Sequence, residues 1–367
     1  MNAKYYPLIK LARQAALIKR RFTLPFKLFS SGFVRSESYY PELPHKSRFR
    51  IVLELLGHIM KYGSIEWHYF SYGLDIKGFR DKNDYLDDGW FLWRSAMLNT
   101  VLVEHDYTCI LRDKDLFATL LTDWGFETPH TIACVRSIKD IDTAIEKVFS
   151  NKGAFFCKPL DGQCGGGVFR LVVSDDRAMI DGEDMTYDDA EKILKERFEQ
   201  SAYLIQTLVV QHPEVSKIYD KSVNTIRLIT VYDKKNNKVV PLSAVLRVGA
   251  NGNTVDNWAA GGLAVGIEME TGRLKEYGFY KHGKGTKTVC HPDTGTEFNG
   301  FKIPFYTEAV EKAVSLHTHL VPIVVIGWDI AITPNGPLFI EGNDNMEISI
   351  NQEVNGGLKK ACNHLIF

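Results

Sequence analysis

Near the C-terminal end, Asp329, Glu341 and Asn343 stand in two apolar runs on either side of the turn Pro334-Asn335-Gly336. Apolar runs flanking such a turn signal a β-hairpin. With a loop from Pro334 to Gly336, Thr333 pairs with Pro337 and Asp329 with Glu341, and Asn343 shares that face two residues further on. Three oxygen-bearing side chains then converge on a sheet otherwise built of Ile, Ala, Leu and Phe. Hard oxygen donors of this kind suit Mg²⁺, which takes one or two carboxylates and leaves its other positions to water and phosphate. A solvent-facing hairpin would carry similar polar residues, but these flanking runs are too apolar for an exposed ribbon.

A second group lies upstream. Lys158-Pro159 precedes Asp161-Gly162-Gln163-Cys164-Gly165-Gly166-Gly167, which reads as a strand, a glycine-rich turn and a second strand. Glycines permit positive φ and let backbone N–H groups approach phosphate oxygens with no Cβ in the way. Lys158 can add a charge to the same phosphates. The pattern is neither a Walker loop nor the G-x-G-x-x-G turn that opens a helix. Taken alone, it reads equally well as a loop without a ligand. Arg112-Asp113-Lys114, at the start of a predicted helix, would by itself be a surface charge cluster.

These residues need elements to position them. Apolar spacing predicts helices around Arg50–Tyr62, Gly89–Leu98, Leu116–Trp124, Ile138–Phe149, Tyr187–Gln200 and Tyr306–His319. Strand patterns fall at Thr131–Val135, Ala154–Pro159, Val168–Val173, Tyr203–Val210, Thr225–Tyr232, Val239–Val248 and Leu263–Glu268, before the hairpin. An antiparallel strand order with helices on one side is an α+β arrangement, not a doubly wound dinucleotide fold.

The chain has 367 residues, 45% hydrophobic and 24% charged, enough for two or three lobes. Its formal net charge of −1 gives no general pull toward nucleic acid. Cys109, Cys134, Cys157, Cys164, Cys290 and Cys362 show neither C-x-x-C pairing nor zinc spacing, which fits free thiols in a reducing compartment. No apolar run has membrane-spanning length and no signal peptide is visible. No acidic residue precedes Glu37, whereas Lys4, Lys10, Arg13, Lys19, Arg20, Arg21, Lys27 and Arg35 are all basic, interspersed with Leu and Ile in a helical pattern. Such a helix either lies on an anionic membrane surface or packs on the body with its charges in water.

Taken together, the glycine-rich hairpin, the two lysines and the Asp/Glu/Asn set resemble the ATP-grasp family over about residues 105–355. The resemblance implies an α+β fold that holds a nucleotide between two antiparallel sheets. It implies a helical region at 1–105, a small lobe with the phosphate loop at 106–210 and a large lobe with the metal site at 211–367. Lys114 and Lys158 look like the family's two nucleotide lysines, with Gly165, Gly166 and Gly167 over the phosphates. Leu204-Ile205-Gln206-Thr207-Leu208-Val209 resembles the strand that receives adenine, placing Gln206, Thr207 and Val209 at the base; the family often has Glu where Gln206 stands. Asp329, Glu341 and Asn343 match its metal-binding pattern. Ser222 to Arg227, Asp256-Asn257 through Gly261-Gly262, Gly327-Trp328-Asp329, Gln352 and Gly356-Gly357-Leu358 resemble the sugar-transfer-associated branch, which is linked with cell-surface polysaccharide assembly.

The expected cofactors are ATP with Mg²⁺ or Mn²⁺. The expected reaction is a carboxylate–amine ligation through an acyl phosphate, with a small-molecule acid and amine as partners and no nucleic acid. A kinase and a nucleotide-binding regulator are the other readings. Arg227, Arg247 and Asn257 are the candidates at the reacting end, Arg227 from a strand of alternating polarity; each arginine is also open to a structural ion pair. The expected location is cytoplasmic, peripheral at the inner face of the membrane if the basic helix binds there.

Overall fold

The computed structural model describes residues 6–103, 105–160, 166–362 and 365. Two antiparallel sheets organise it. The first has six strands in the order β1 (Thr131–Val135), β6 (Tyr203–Thr207), β2 (Gly153–Pro159), β3 (Phe169–Val173), β4 (Arg177–Ile180) and β5 (Glu183–Thr186). The second has seven: β11 (Lys287–Thr288), β10 (Leu274–Tyr280), β9 (Leu263–Ile267), β8 (Lys238–Val248), β7 (Thr225–Asp233), β12 (Val325–Thr333) and β13 (Gly336–Asn343).

Helices Ile141–Asn151 and Tyr187–Gln200 cover the first sheet. The former buries Ile141, Ala144, Ile145 and Val148, the stripe its spacing predicts. Its expected start at Ile138 becomes a separate 3₁₀ turn, because Asp140 accepts hydrogen bonds from the Arg136 and Ser137 N–H groups. Helix Tyr306–Thr318 packs under the second sheet. There the even positions of β12, Ile326, Trp328, Ile330 and Ile332, enter one core with Phe339, Leu228 and Leu246. Helix Lys114–Asp123 precedes the first sheet in the chain, yet its Phe117 and Leu121 join the core of the second.

The hairpin corrects one expectation. Thr333 pairs with Gly336, leaving a turn of Pro334 and Asn335, and Asp329 nevertheless pairs with Glu341 because the register shifts between Asp329 and Ile330. Gly336, expected in the loop, pairs instead, and the extra residue is taken up within the strand as a β-bulge at Ile340. The strand expected to run to Val210 ends at Thr207. From there the chain crosses between the sheets, with the Leu208 N–H bonded to the Ala154 carbonyl and the His212 N–H to the Ile332 carbonyl.

The N-terminal region packs helices Tyr6–Ser30 and Arg48–Tyr62 around Leu28, Ile51, Leu55 and Ile59. It is tied to the C-terminal helix Ser349–Asn355, where the Gln352 amide bonds both the N–H and the C=O of Leu86. A Cβ at Gly357 would lie 2.5 Å from the Asp84 carbonyl oxygen, so only glycine lets the two segments approach. Asn99, on a π-helical turn (Met97–Val101), accepts from Val324 N–H and donates to the Val325 and Asp344 carbonyls. No helix among the described residues is long and apolar enough to cross a membrane.

One buried chain fixes the strand that carries Asp329. The Trp328 indole N–H donates to Thr230 Oγ1 at 2.8 Å, the Thr230 hydroxyl lies 2.7 Å from His317 Nδ1, and His317 Nε2 lies 2.8 Å from the Ile323 carbonyl. The carbonyl requires the proton on Nε2, so Nδ1 accepts and His317 is neutral. Burial pushes the His317 pKa down to about 4. Its contribution to stability is therefore complete above the unfolded value near 6.5 and is lost as pH falls toward 4. Urea unfolding should show a loss of about 2 kcal/mol between about pH 7 and pH 5 from this group. Most of that loss should disappear in His317→Gln; an unchanged pH dependence in the variant would place the acid-labile group elsewhere.

Candidate active site

Neighbouring strands of the second sheet bring the charged residues together. Asp329 lies opposite Arg227 in the β7–β12 pairing and opposite Glu341 in the β12–β13 pairing. The Arg227 guanidinium donates to both Asp329 oxygens, at 2.5 and 3.0 Å. Arg247, on β8, reaches Asp329 at 3.3 Å and Asp256 at 3.0 Å. Asp256 also accepts from the backbone N–H and hydroxyl of Thr225. Asn343 donates to Glu341 at 3.3 Å and to the Gly327 carbonyl at 3.3 Å.

The two carboxylates are shifted in opposite directions. Burial opposes ionisation of Asp329, which is 2% exposed, but Arg227 and Arg247 overcome it and hold that carboxyl well below the usual range. Burial and the neighbouring Asp329 charge push Glu341 up, and the arginines offset this only in part. The pair is thus short of positive charge on its Glu341 side. Two carboxylates and an amide, all oxygen donors, fit a hard divalent cation there. Among the described residues no cluster of three His, Cys, Asp or Glu could hold a metal ion, so the amide of Asn343 would complete this set.

Lysines reach the same region from both sides. Lys158, on β2, is buried; burial pushes its pKa down to about 8, against the attraction of Glu341. Lys114, at the start of its helix, donates to the Pro159 and Leu160 carbonyls at 3.0 Å each, where the glycine-rich segment begins. Asp113 caps that helix through the Asp115 and Leu116 N–H groups and is gripped by Arg136. Gly167 has φ +73°, and its carbonyl accepts from the Tyr203 hydroxyl. Gly166 is exposed, and Gly165 lies outside the described residues.

Gln206 is buried on β6, its amide N–H₂ bonded to the Pro129 carbonyl at 3.0 Å and to Thr131 Oγ1 at 3.3 Å. Its donors are committed to the protein, so toward a ligand it can offer its oxygen as acceptor, as the more usual Glu would. Thr207, bonded through its N–H to the His130 carbonyl, and Val209 follow at the crossing between the sheets. The Asn257 side chain accepts from the Ala259 N–H and caps the turn Trp258–Ala260. Its neighbour Asp256 joins the arginine network. Sequence reasoning missed the bidentate pair of Arg112 with Asp344, at 2.6 and 3.1 Å, which fastens the turn Cys109–Arg112, just before the helix of Lys114, to the segment after Asn343. The acidic residue next to Asn343 was the available signal.

Two antiparallel sheets, a lysine on each side, a strand crossing between them and a distal Asp/Glu/Asn set define an ATP-grasp protein. The chain belongs to the sugar-transfer associated ATP-grasp family, whose model matches residues 94–365. Solved structures that resemble it include D-alanyl-alanine synthetase A from Vibrio cholerae O1 biovar eltor, at 10% identity and TM-score 0.43, covering 71% of this chain and 63% of that one. D-alanine–D-alanine ligase from Bacillus anthracis matches at 15% identity and TM-score 0.39, covering 70% and 66%. The ATP-grasp ligase PsnB matches at 14% identity and TM-score 0.36, covering 69% and 58%. The chain thus spans under two thirds of the first of these structures. No curated protein matches its sequence.

Two outcomes follow from this geometry. Because burial and the Asp329 charge already oppose ionisation of Glu341, Glu341→Gln should leave the urea midpoint nearly unchanged while lowering ADP release at least about 100-fold. Near-normal ADP release would remove the metal assignment. With Lys158 near 8, ADP affinity measured without metal should fall by up to about tenfold between about pH 7 and pH 9 as the ammonium is lost. Lys158→Ala should bind more weakly and show no such pH dependence; an unaltered affinity would move the phosphate site elsewhere.

Proposed function

We propose that the protein is an ATP- and Mg²⁺-dependent carboxylate–amine ligase. In this reading it joins an amino acid or similar acid to an amine on a sugar or small metabolite, in the assembly of cell-surface polysaccharide. The observation that carries the proposal is the buried cluster in which Arg227 and Arg247 meet Asp329 and Glu341, with Lys158 facing it from the other sheet. Such a cluster suits a reaction of positioning and charge neutralisation, and phosphoryl transfer needs no protein nucleophile.

Lys114 and Lys158 hold the α- and β-phosphates, with the segment Gly165–Gly167 over them. Gln206 accepts from the adenine amino group, and Thr207 and Val209 line the base. Asp329, Glu341 and Asn343 would hold Mg²⁺ or Mn²⁺, which when bound neutralises charge on the β- and γ-phosphates. Arg227 and Arg247 place two guanidinium groups where the transferred phosphoryl and the acid's carboxylate meet. The carboxylate oxygen attacks the γ-phosphorus and ADP leaves; the amine nitrogen then attacks the acyl carbon and phosphate leaves. Closure of the glycine-rich segment keeps water from the acyl phosphate.

The experiment is ADP and phosphate release with Mg-ATP across a library of amino acids, with and without amino sugars, followed by product mass. A product equal in mass to acid plus amine minus water, formed with one ADP and one phosphate, is expected. A product heavier by one phosphoryl group would make the protein a kinase. Nucleotide binding with no acceptor-dependent ADP release would leave a regulator.

A further inference from the structure

The helix Tyr6–Ser30 has two apolar faces, and only one is used by the fold. Leu17 and Leu28 point into the body, and the Arg13 guanidinium sits 3.9 Å over the Trp93 ring. On the other side Leu8, Leu11, Ile18, Phe22, Phe26 and Phe29 are 53–79% exposed. At 100° per residue these six fall within an arc of about 80°. A contiguous stripe with three solvent-facing phenylalanines is more than the scattered apolar surface of an ordinary protein.

The neighbouring helix continues the pattern. Arg48–Tyr62 runs antiparallel to the first, with Leu17 against Gly63 and Arg48 bonded to the Val34 carbonyl. It buries Ile51, Leu55 and Ile59 yet exposes Phe49 (74%), Leu53 (52%) and Met60 (56%). Burial inward is therefore complete for both helices, and the outward apolar residues have no partner among the described residues.

Charge selects the occupant. Before Glu37 the sequence has no acidic residue; Lys19 borders the stripe, and Lys10, Arg20 and Lys27 are exposed elsewhere on the same helix. A second copy of the chain would bring like charges face to face across the apolar contact, a repulsive arrangement. An anionic bilayer supplies both what the stripe lacks, an apolar layer and a negative surface. Since no described helix can cross a membrane, the helix would lie in the plane of the interface.

We propose that the outward face of helix Tyr6–Ser30, extended by Phe49, Leu53 and Met60, docks the protein on the surface of an anionic lipid bilayer. The stripe enters the acyl boundary, Lys19 at its border pairs with headgroup phosphates, the helix's other basic side chains add to the attraction at longer range, and the body stays in water. This inference does not depend on the ligase reading.

The test is co-sedimentation of the full chain with vesicles of phosphatidylcholine alone and of phosphatidylcholine mixed with equal parts of phosphatidylglycerol. Binding to the mixed vesicles, weakened at least about tenfold by added salt, is expected. Phe22→Ser with Phe26→Ser should lower that binding at least about tenfold at unchanged nucleotide affinity. Lys19→Glu with Arg20→Glu should abolish the preference for anionic vesicles. A thermal melt like that of the parent would show that both variants are folded. Failure to bind either vesicle would overturn the proposal, as would equal binding to both. So would a dimer in light scattering that the phenylalanine variant converts to monomer.

Discussion

Asp329 is a carboxylate with almost no access to water, and much of the surrounding architecture serves to keep it charged. Taking such a group out of water is compensated only by opposite charge at hydrogen-bond distance and good geometry. Arg227 supplies a two-point contact from the adjacent strand and Arg247 a further one from the next strand over. Asp256 then balances Arg247, and Thr225 binds Asp256. The network fixes the relative register of β7, β8 and β12, since a slip of one residue would carry an arginine to the wrong face. Removing either charge while leaving the other buried typically costs about 3–5 kcal/mol.

The strands at the centre of each sheet were legible in the sequence because burial on both faces writes long apolar runs, as in Val325 to Thr333. The helices with a clean apolar stripe were legible for the same reason. The sheet margins were not. Arg177–Ile180 and Glu183–Thr186 are only four residues each, too short to write a period, and pair because β3 offers an open edge. Helix Ser349–Asn355 has no apolar periodicity, yet it is buried, its polar side chains bonded to Ser243, Leu86 and Tyr72. Composition carries no sign of such partners.

The candidate site divides along the same line. Residues that lie close in sequence and share a hairpin, such as Asp329, Glu341 and Asn343, follow from strand parity. Arg227 and Asp329 are 102 positions apart, and nothing local specifies that they face each other. The same holds for Arg112 with Asp344 and for the Pro129 carbonyl that takes the Gln206 donors. The Asp329–Glu341 pairing was reached with a turn one residue too long, and came out right because the bulge at Ile340 supplies the same extra residue from within the strand.

That bulge lets one strand serve two clients. On its turn side, Phe339 faces the apolar core against Trp328; beyond Ile340, Glu341 and Asn343 face the opposite way, toward the charged cluster. Were the strand regular through Ile340, with no bulge, Glu341 would share the face of Phe339 and meet Trp328 instead of Asp329. The hairpin is therefore unequal in what its lineage can edit. Residues can be gained or lost at the Pro334-Asn335 tip with little consequence beyond it, and loss of Ile340 itself merely closes the bulge, whereas drawing Ile340 into regular pairing exchanges a polar surface for an oily one and silences the site.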